Sequence, residues 1–262
     1  MVTNALISPA YAFSGLVVGF LVGMTGVGGG SLMTPLLVLL FRFHPATAIG
    51  TDLLFAGTTK IAGTVVHGLA RTVDWRVVGL LAAGSLPGTL VTLMVIDRLG
   101  PPLASTGHML TVALGVALLL TAASLVFRDQ LMRWAQTLNL NPGGRRAEVW
   151  TVVLGLYLGV AVTISSVGAG AIGVTALILL YPTLPLPRVV GTDIAHAVPL
   201  TLLAGAGHWL IGTVSWPLYL SLIAGSIPGV IAGSLISTRV SERVLRPVLA
   251  LILVVVGARL LA

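Results

Sequence analysis

A chain of 262 residues that is 56% hydrophobic and only 8% charged, with a mean hydropathy of +1.07, cannot hide its apolar side chains in one water-soluble core. Soluble domains carry about 25% charged residues, so lipid must solvate most of this surface and residues 1–262 read as a single membrane domain. The net charge of +7 excludes little by itself. Thirteen of the fourteen basic residues are Arg at segment ends, with no basic stripe and little aromatic interleaving, which argues against nucleic acid and for a topology signal.

In chain order, apolar segments run from Tyr11 to Val27, Ser31 to Phe41, Ala46 to Leu69, Val77 to Ile96 and His108 to Phe127. A polar stretch, Arg128 to Glu148, holds Arg128, Arg133, Arg145 and Arg146 and the turn-forming Asn141-Pro142-Gly143-Gly144. The pattern restarts with Val149 to Val167, Ala169 to Tyr181, Val189 to Ile211, Trp216 to Ser237 and Val244 to Leu261. The N-terminus has no basic n-region and reads as lacking a signal peptide. Cysteine is absent, so disulfides and thiolate metal sites are excluded.

The two halves are copies. At an offset of 141, Gly50-Thr51-Asp52 matches Gly191-Thr192-Asp193, and His67 matches His208. Thr72-Val73 and Trp75 match Thr213-Val214 and Trp216, and Gly84-Ser85 with Pro87-Gly88 match Gly225-Ser226 with Pro228-Gly229. Upstream the offset is 140, where Gly15, Gly19, Gly28 and Gly30 match Gly155, Gly159, Gly168 and Gly170. A register held over that many non-aliphatic positions means duplication: repeat one is 11–127, the linker 128–148 and repeat two 149–262. With the linker placed in the cytoplasm and an odd number of crossings per half, ten arginines fall inside and three (Arg42, Arg98, Arg259) outside, in accord with the positive-inside rule. The expected fold is therefore an all-α integral membrane protein of two inverted-topology repeats, each of about five hydrophobic segments. Inverted repeats are a common transporter build; an even crossing count would make them parallel.

Two segments are broken by glycine-rich strings, Thr25-Gly26-Val27-Gly28-Gly29-Gly30-Ser31 and Ser165-Ser166-Val167-Gly168-Ala169-Gly170. Glycine costs a helix about 1 kcal/mol per residue relative to Ala, and freed backbone groups at membrane depth need burial in protein or a wet cavity. Each break starts a new helix whose amides and dipole favour an anion. One break per half points to a transporter site, with Thr25, Gly28, Gly29, Gly30, Ser31, Ser165, Ser166, Gly168 and Gly170 lining it. The alternative is close helix packing through small residues, which suits Gly15 and Gly19 better.

Asp52 and Asp193 each follow Gly-Thr in an apolar segment. They are either intramembrane functional carboxylates or N-terminal caps, with Thr51 and Thr192 as neighbouring hydroxyls. Lys60, the only lysine, lies two helical turns beyond Asp52 and is read as an anion ligand or an Asp partner; its repeat equivalent is Thr201. His196, three residues past Asp193, shares a helix face with it, as a proton relay or a structural hydrogen bond. His67 and His208 are proton carriers or interfacial anchors. Pro87 and Pro228 read as kinks, serving as hinges or as static shaping. No catalytic constellation, cofactor motif or metal-ligand set is recognisable, so an enzyme is the weaker class, as is a scaffold; a passive anion channel is the nearer rival to a carrier.

The motifs Gly-x-Gly-Gly-Gly-Ser (26–31), Pro-x-x-Ala-x-Gly-Thr (45–51) and Gly-Ser-x-Pro-Gly (84–88 and 225–229), with the half-length duplication, resemble the TauE/SafE family of sulfite exporters over nearly the whole chain. The resemblance implies a multi-pass secondary carrier of a prokaryotic inner membrane. Its substrate would be a small sulfur-containing anion, such as sulfite or an organosulfonate, exported with protons as coupling ion. It associates Ser with the positions held here by Asp52 and Asp193, which are expected to carry protons with His196. Lipid and the anion are the expected partners, and self-association is left open.

Overall fold

The computed structural model describes residues 7–25, 30–99, 104–137, 144–236 and 242–262. Every secondary-structure element among them is helical: α1 (Pro9–Thr25), α2 (Gly30–Leu39), α3 (Pro45–Leu69), α4 (Trp75–Arg98), α5 (Ala104–Val126), α6 (Arg128–Thr137), α7 (Arg145–Ser165), α8 (Ala171–Leu180), α9 (Leu186–Leu210), α10 (Trp216–Ile236) and α11 (Glu242–Leu261). Each of the ten apolar segments overlaps one of these helices. The polar stretch 128–148 holds the one not anticipated, α6, and also the first turn of α7. Its sequence, Arg-Asp-Gln-Leu-Met-Arg-Trp-Ala-Gln-Thr, is that of a short amphipathic helix.

Five helical stretches are long and apolar enough to cross a bilayer: Trp75–Arg98, Gly107–Val126, Arg145–Ser165, Leu186–Leu210 and Trp216–Gly233. Large apolar side chains such as Met94, Leu156, Ile231 and Leu251 are exposed on the outside of the bundle, as a lipid-facing surface requires. This is a multi-pass membrane protein.

The halves interleave instead of standing side by side. Helix α1 packs chiefly on α10, and its equivalent α7 packs on α4, the equivalent of α10; α3 packs on α9 and α5 on α11. Small residues make the close approaches, as expected where lipid leaves packing to decide helix association. A Cβ on Gly225 would lie 1.7 Å from the Ala12 carbonyl oxygen, and one on Gly15 2.2 Å from that of Leu222. In the equivalent seam a Cβ on Gly84 would lie 2.0 Å from the Val152 oxygen, and one on Gly155 2.2 Å from that of Leu81. Gly15, Gly19 and the Gly-Ser-x-Pro-Gly glycines are thus packing residues. The helical assignment continues unbroken past Pro87 and Pro228, both of which are exposed.

Chain direction follows from the same contacts. In the α3–α9 pair Gly50 meets His208, Gly57 meets Thr201 and Leu202, Gly63 meets Ile194 and Gly191 meets His67, so these equivalent helices run antiparallel. Gly115 meets Gly257 and Leu261, and Gly257 meets Leu119, so α5 and α11 do the same. Each broken pair folds back on itself as a hairpin. Tyr11, near the start of α1, stacks edge-on against Phe41 and Phe43 beyond the end of α2, with ring centroids 4.9 and 5.6 Å away. In the other half the hydroxyls of Thr151, early in α7, and Tyr181, just past α8, are hydrogen-bonded at 2.7 Å.

Candidate functional site

The second hairpin tip is built by backbone that only particular residues tolerate. After α7 ends, Ser166 turns left-handed at φ 58°, and Gly168 and Gly170 adopt φ 123° and 122°, conformations in which a Cβ is strained. Ser165 is consumed locally. Its Oγ donates to the Ala161 carbonyl at 2.7 Å, contacts the Val167 carbonyl at 3.2 Å, and accepts from the Val167 N–H at 3.2 Å. No side chain caps the start of α8. In the first hairpin, Ser31 is buried; Gly28 and Gly29 lie outside the described residues, as does the side chain of Thr25, and Gly30 opens α2.

Asp52 and Asp193 are the eighth residues of α3 and α9. That is beyond the first turn, so the capping alternative falls and both are carboxylates of helix interiors. Both are fully buried, at 0% and 1% exposure. Their surroundings differ. Asp52 Oδ2 accepts a short hydrogen bond from Thr34 Oγ1 of α2 and a second from Ser166 Oγ of the opposite hairpin tip at 3.0 Å. One carboxylate oxygen therefore ties together three elements from both halves, while Oδ1 has no partner.

Asp193 has less around it. Its Oδ1 is buried without a hydrogen-bond partner and rests on α8 at Gly173, where a Cβ would come within 2.1 Å of it. One turn on, His196 is 0% exposed. Its Nε2 pairs with Ser85 Oγ of α4 at 2.8 Å, and its Nδ1 has no partner. Lys60 is 7% exposed and interacts electrostatically with both Asp193 and Asp52. Neither ion pair found among the described residues includes it. Along the antiparallel α3–α9 pair, equivalent residues come level near Thr58–Thr59 and Pro199–Leu200, so Lys60 stands almost at the midpoint of that crossing. Asp52 lies about two turns to one side of that point and Asp193 about two turns to the other, roughly 10 Å each way. Burying an ammonium without a close partner is costly, and its placement at the centre of a duplicated bundle is the chief electrostatic feature of the molecule.

Several residues read from the sequence serve the scaffold. Thr51 Oγ1 accepts from the Ser215 N–H at 3.1 Å, and Thr192 Oγ1 from the Asp74 N–H at 2.9 Å while donating to the Arg188 carbonyl at 2.6 Å. Each threonine thus fastens the loop that opens a helix of the other half. His67 and His208 close the ends of α3 and α9, with Nδ1 2.8 and 3.0 Å from the hydroxyls of Thr72 and Thr213. His208 Nε2 is also 3.0 Å from the Thr163 carbonyl oxygen. Gly50 and Gly191 leave room for these turns. Three residues were missed. Thr34 and Ser85 appear only when separate elements pack together, although Ser85 stands inside a repeated motif. Thr64, whose buried Oγ1 has no partner, lies one turn past Lys60, the interval that shares a helix face.

Comparison with known proteins agrees with this architecture. The family described as "Sulfite exporter TauE/SafE" matches residues 11–260. The chain is 35% identical to the probable membrane transporter protein YjnA of Bacillus subtilis strain 168, over 82% of this chain and 84% of that protein. It is 25% identical to the probable membrane transporter protein YdhB of the same organism, over 80% and 82%. No solved structure gives a significant match. A match over almost the whole length, on a helical bundle with two broken hairpins, means that this chain belongs to the TauE/SafE sulfite exporter family of membrane transporters.

Proposed function

We propose that the protein is a secondary carrier for a small anion, a sulfur-containing oxyanion or organosulfonate, which it exports with protons as the coupling ion. The observation that carries this reading is Lys60: one buried lysine at the centre of the α3–α9 crossing, with a buried aspartate about two turns away on each side. The anion would sit between the hairpin tips against the freed backbone of the second break, near Ser31, Ser166 and Lys60. Asp52, Asp193 and His196 would carry the protons. Pro87 and Pro228, on the two seam helices, would let those helices flex.

The antiparallel course of α3 against α9 and of α5 against α11 supports an inverted relation of the halves across the bilayer, with 128–148 in the cytoplasm. Two ion pairs among the described residues, Arg76 with Glu148 at 2.5 Å and Arg188 with Asp74 at 3.7 Å, lie at the linker end. A charged face at that end fits the arginine-rich side.

The test is counterflow in proteoliposomes with sulfur oxyanions, sulfonates, carboxylates and phosphate, at two pH values. Accelerated exchange of at least one anion that responds to an imposed proton gradient is expected; no accelerated flux for any anion overturns the reading. Flux insensitive to the gradient removes the proton coupling. Lys60→Met should abolish exchange while the purified protein stays monodisperse.

A further inference from the structure

The duplication predicts equivalent polar surroundings for the two aspartates, and the structure makes them different. Around Asp193 the α3–α9 crossing supplies Lys60 and His196. It also supplies Thr64, brought level with Asp193 by the contact of Gly63 with Ile194. At the equivalent places around Asp52 stand Thr201, Phe55 and Gly205. Thr201 donates to its own helix at Ala197, Phe55 is packed in an apolar cluster with Val18, Met33 and Leu37, and Gly205 lies against Leu54. Asp52 Oδ1 and Ser226 Oγ are also buried without partners, but Thr201 and Phe55 stand there in place of a lysine and a histidine. The Asp193 side gathers three such atoms, Asp193 Oδ1, His196 Nδ1 and Thr64 Oγ1, around Lys60. Buried groups are almost always hydrogen-bonded, so three orphans around one cation mark a place that a ligand completes.

The chemistry of the three atoms restricts that ligand. Lys60 and Thr64 supply donors for anionic oxygens. Asp193, deprotonated when the anion loads, supplies an acceptor. A fully deprotonated, donor-free anion would set its oxygens against the carboxylate, at an electrostatic cost and with Asp193 Oδ1 still unsatisfied. From this complementarity we infer that the carried anion brings its own hydrogen-bond donor, a hydroxyl or protonated group presented to Asp193, with its charged oxygens on Lys60 and Thr64. Ser85 is the positioning residue, holding the His196 ring through Nε2 so that Nδ1 faces the ligand. The inference rests on the anion-carrier reading and specifies its substrate class: hydrogen oxyanions and hydroxy-substituted anions over bare ones.

Three matched pairs test it as competitors in counterflow with the full chain: phosphate against sulfate, 2-hydroxyethanesulfonate against ethanesulfonate, and glycolate against acetate. In every pair that competes, the donor-bearing member should compete at about tenfold lower concentration or better, because a site built around a hydrogen bond rejects the analogue that lacks it. Asp193→Asn keeps the shape and offers an N–H that bare anions can accept, so it should narrow the gap to about threefold or less by improving the donor-free members. Thr64→Val should weaken both members of a pair equally. Equal competition within the pairs, or a gap that Asp193→Asn leaves intact, overturns the donor preference while anion transport stands. If none of the six anions competes and no anion at all is exchanged, it is the carrier reading that has failed.

Discussion

Asp52 and Asp193 occupy equivalent positions on antiparallel helices and each keeps one buried oxygen without a partner, yet the bundle holds them differently. Asp52 is knotted: one oxygen accepts from Thr34 of its own half and Ser166 of the other. Asp193 lies against a glycine with a bare oxygen. Away from the aspartates the copies remain close, since Thr51 and Thr192 fasten equivalent loops and the α1–α10 and α7–α4 seams use the same glycines. A duplicated protein needs both copies of its scaffold, because each half's loops and seams are completed by the other. Around the two aspartates the copies have diverged, with Thr201 and Phe55 as the equivalents of Lys60 and His196.

The largest expected effect comes from the shared part. Gly84→Ala and Gly225→Ala each drive a methyl into a neighbouring backbone carbonyl, at 2.0 and 1.7 Å, where no side chain can swing away. Each should cost about 3 kcal/mol, lowering the Tm of the purified protein by about 10 °C. Gly79, which has open space around it, should accept Ala within about 0.5 kcal/mol. Equal losses at Gly84 and Gly225 confirm the symmetric scaffold in thermal denaturation. A large loss at one alone would mean that the two seams do not carry equal weight.

The membrane class, ten of the helices and the break before α8 were legible in the sequence, because hydropathy and glycine clustering are local signals. The family resemblance was legible for the same reason, from Gly26–Ser31 and the repeated Gly-Ser-x-Pro-Gly. The partnerships were not. Thr51 and Thr192 looked like anion donors beside an aspartate, yet their hydroxyls meet loop amides more than a hundred residues away. Asp52 meets Ser166 across 114 residues, and nothing in either neighbourhood announces the other. Lys60 was legible as unusual, but its place at the midpoint of the crossing follows only from the antiparallel register of α3 and α9. The amphipathic α6 was hidden by the charges of a stretch read as polar linker.

A second effect separates the knotted aspartate from the open chamber. Thr34→Val removes a donor from Asp52, a hydrogen bond to a carboxylate worth about 2 kcal/mol. Thr64→Val removes a hydroxyl that has no partner, so stability should hold or rise slightly. Transport should rank the other way, with Thr64→Val the more damaging to apparent affinity. Denaturation and counterflow on the same two preparations decide it. Equal losses of stability would mean that the Thr34 hydrogen bond does not hold Asp52 in place.

The smallest effect concerns the two serines of the Gly-Ser-x-Pro-Gly motifs. Ser85 Oγ pairs with His196 Nε2, whereas Ser226 Oγ is buried without a partner, because Phe55 stands where the first half would need a histidine. Ser226→Ala should therefore change neither stability nor exchange, within about 0.5 kcal/mol. Ser85→Ala should cost about 1 kcal/mol of stability and, by freeing the His196 ring to rotate, raise the KM for the anion more than it lowers the maximal rate. The two substitutions delete the same atom from the same motif at the same depth. Any difference between them must then come from what faces the motif on α9 and α3, so identical behaviour would place the working chamber somewhere other than beside Asp193.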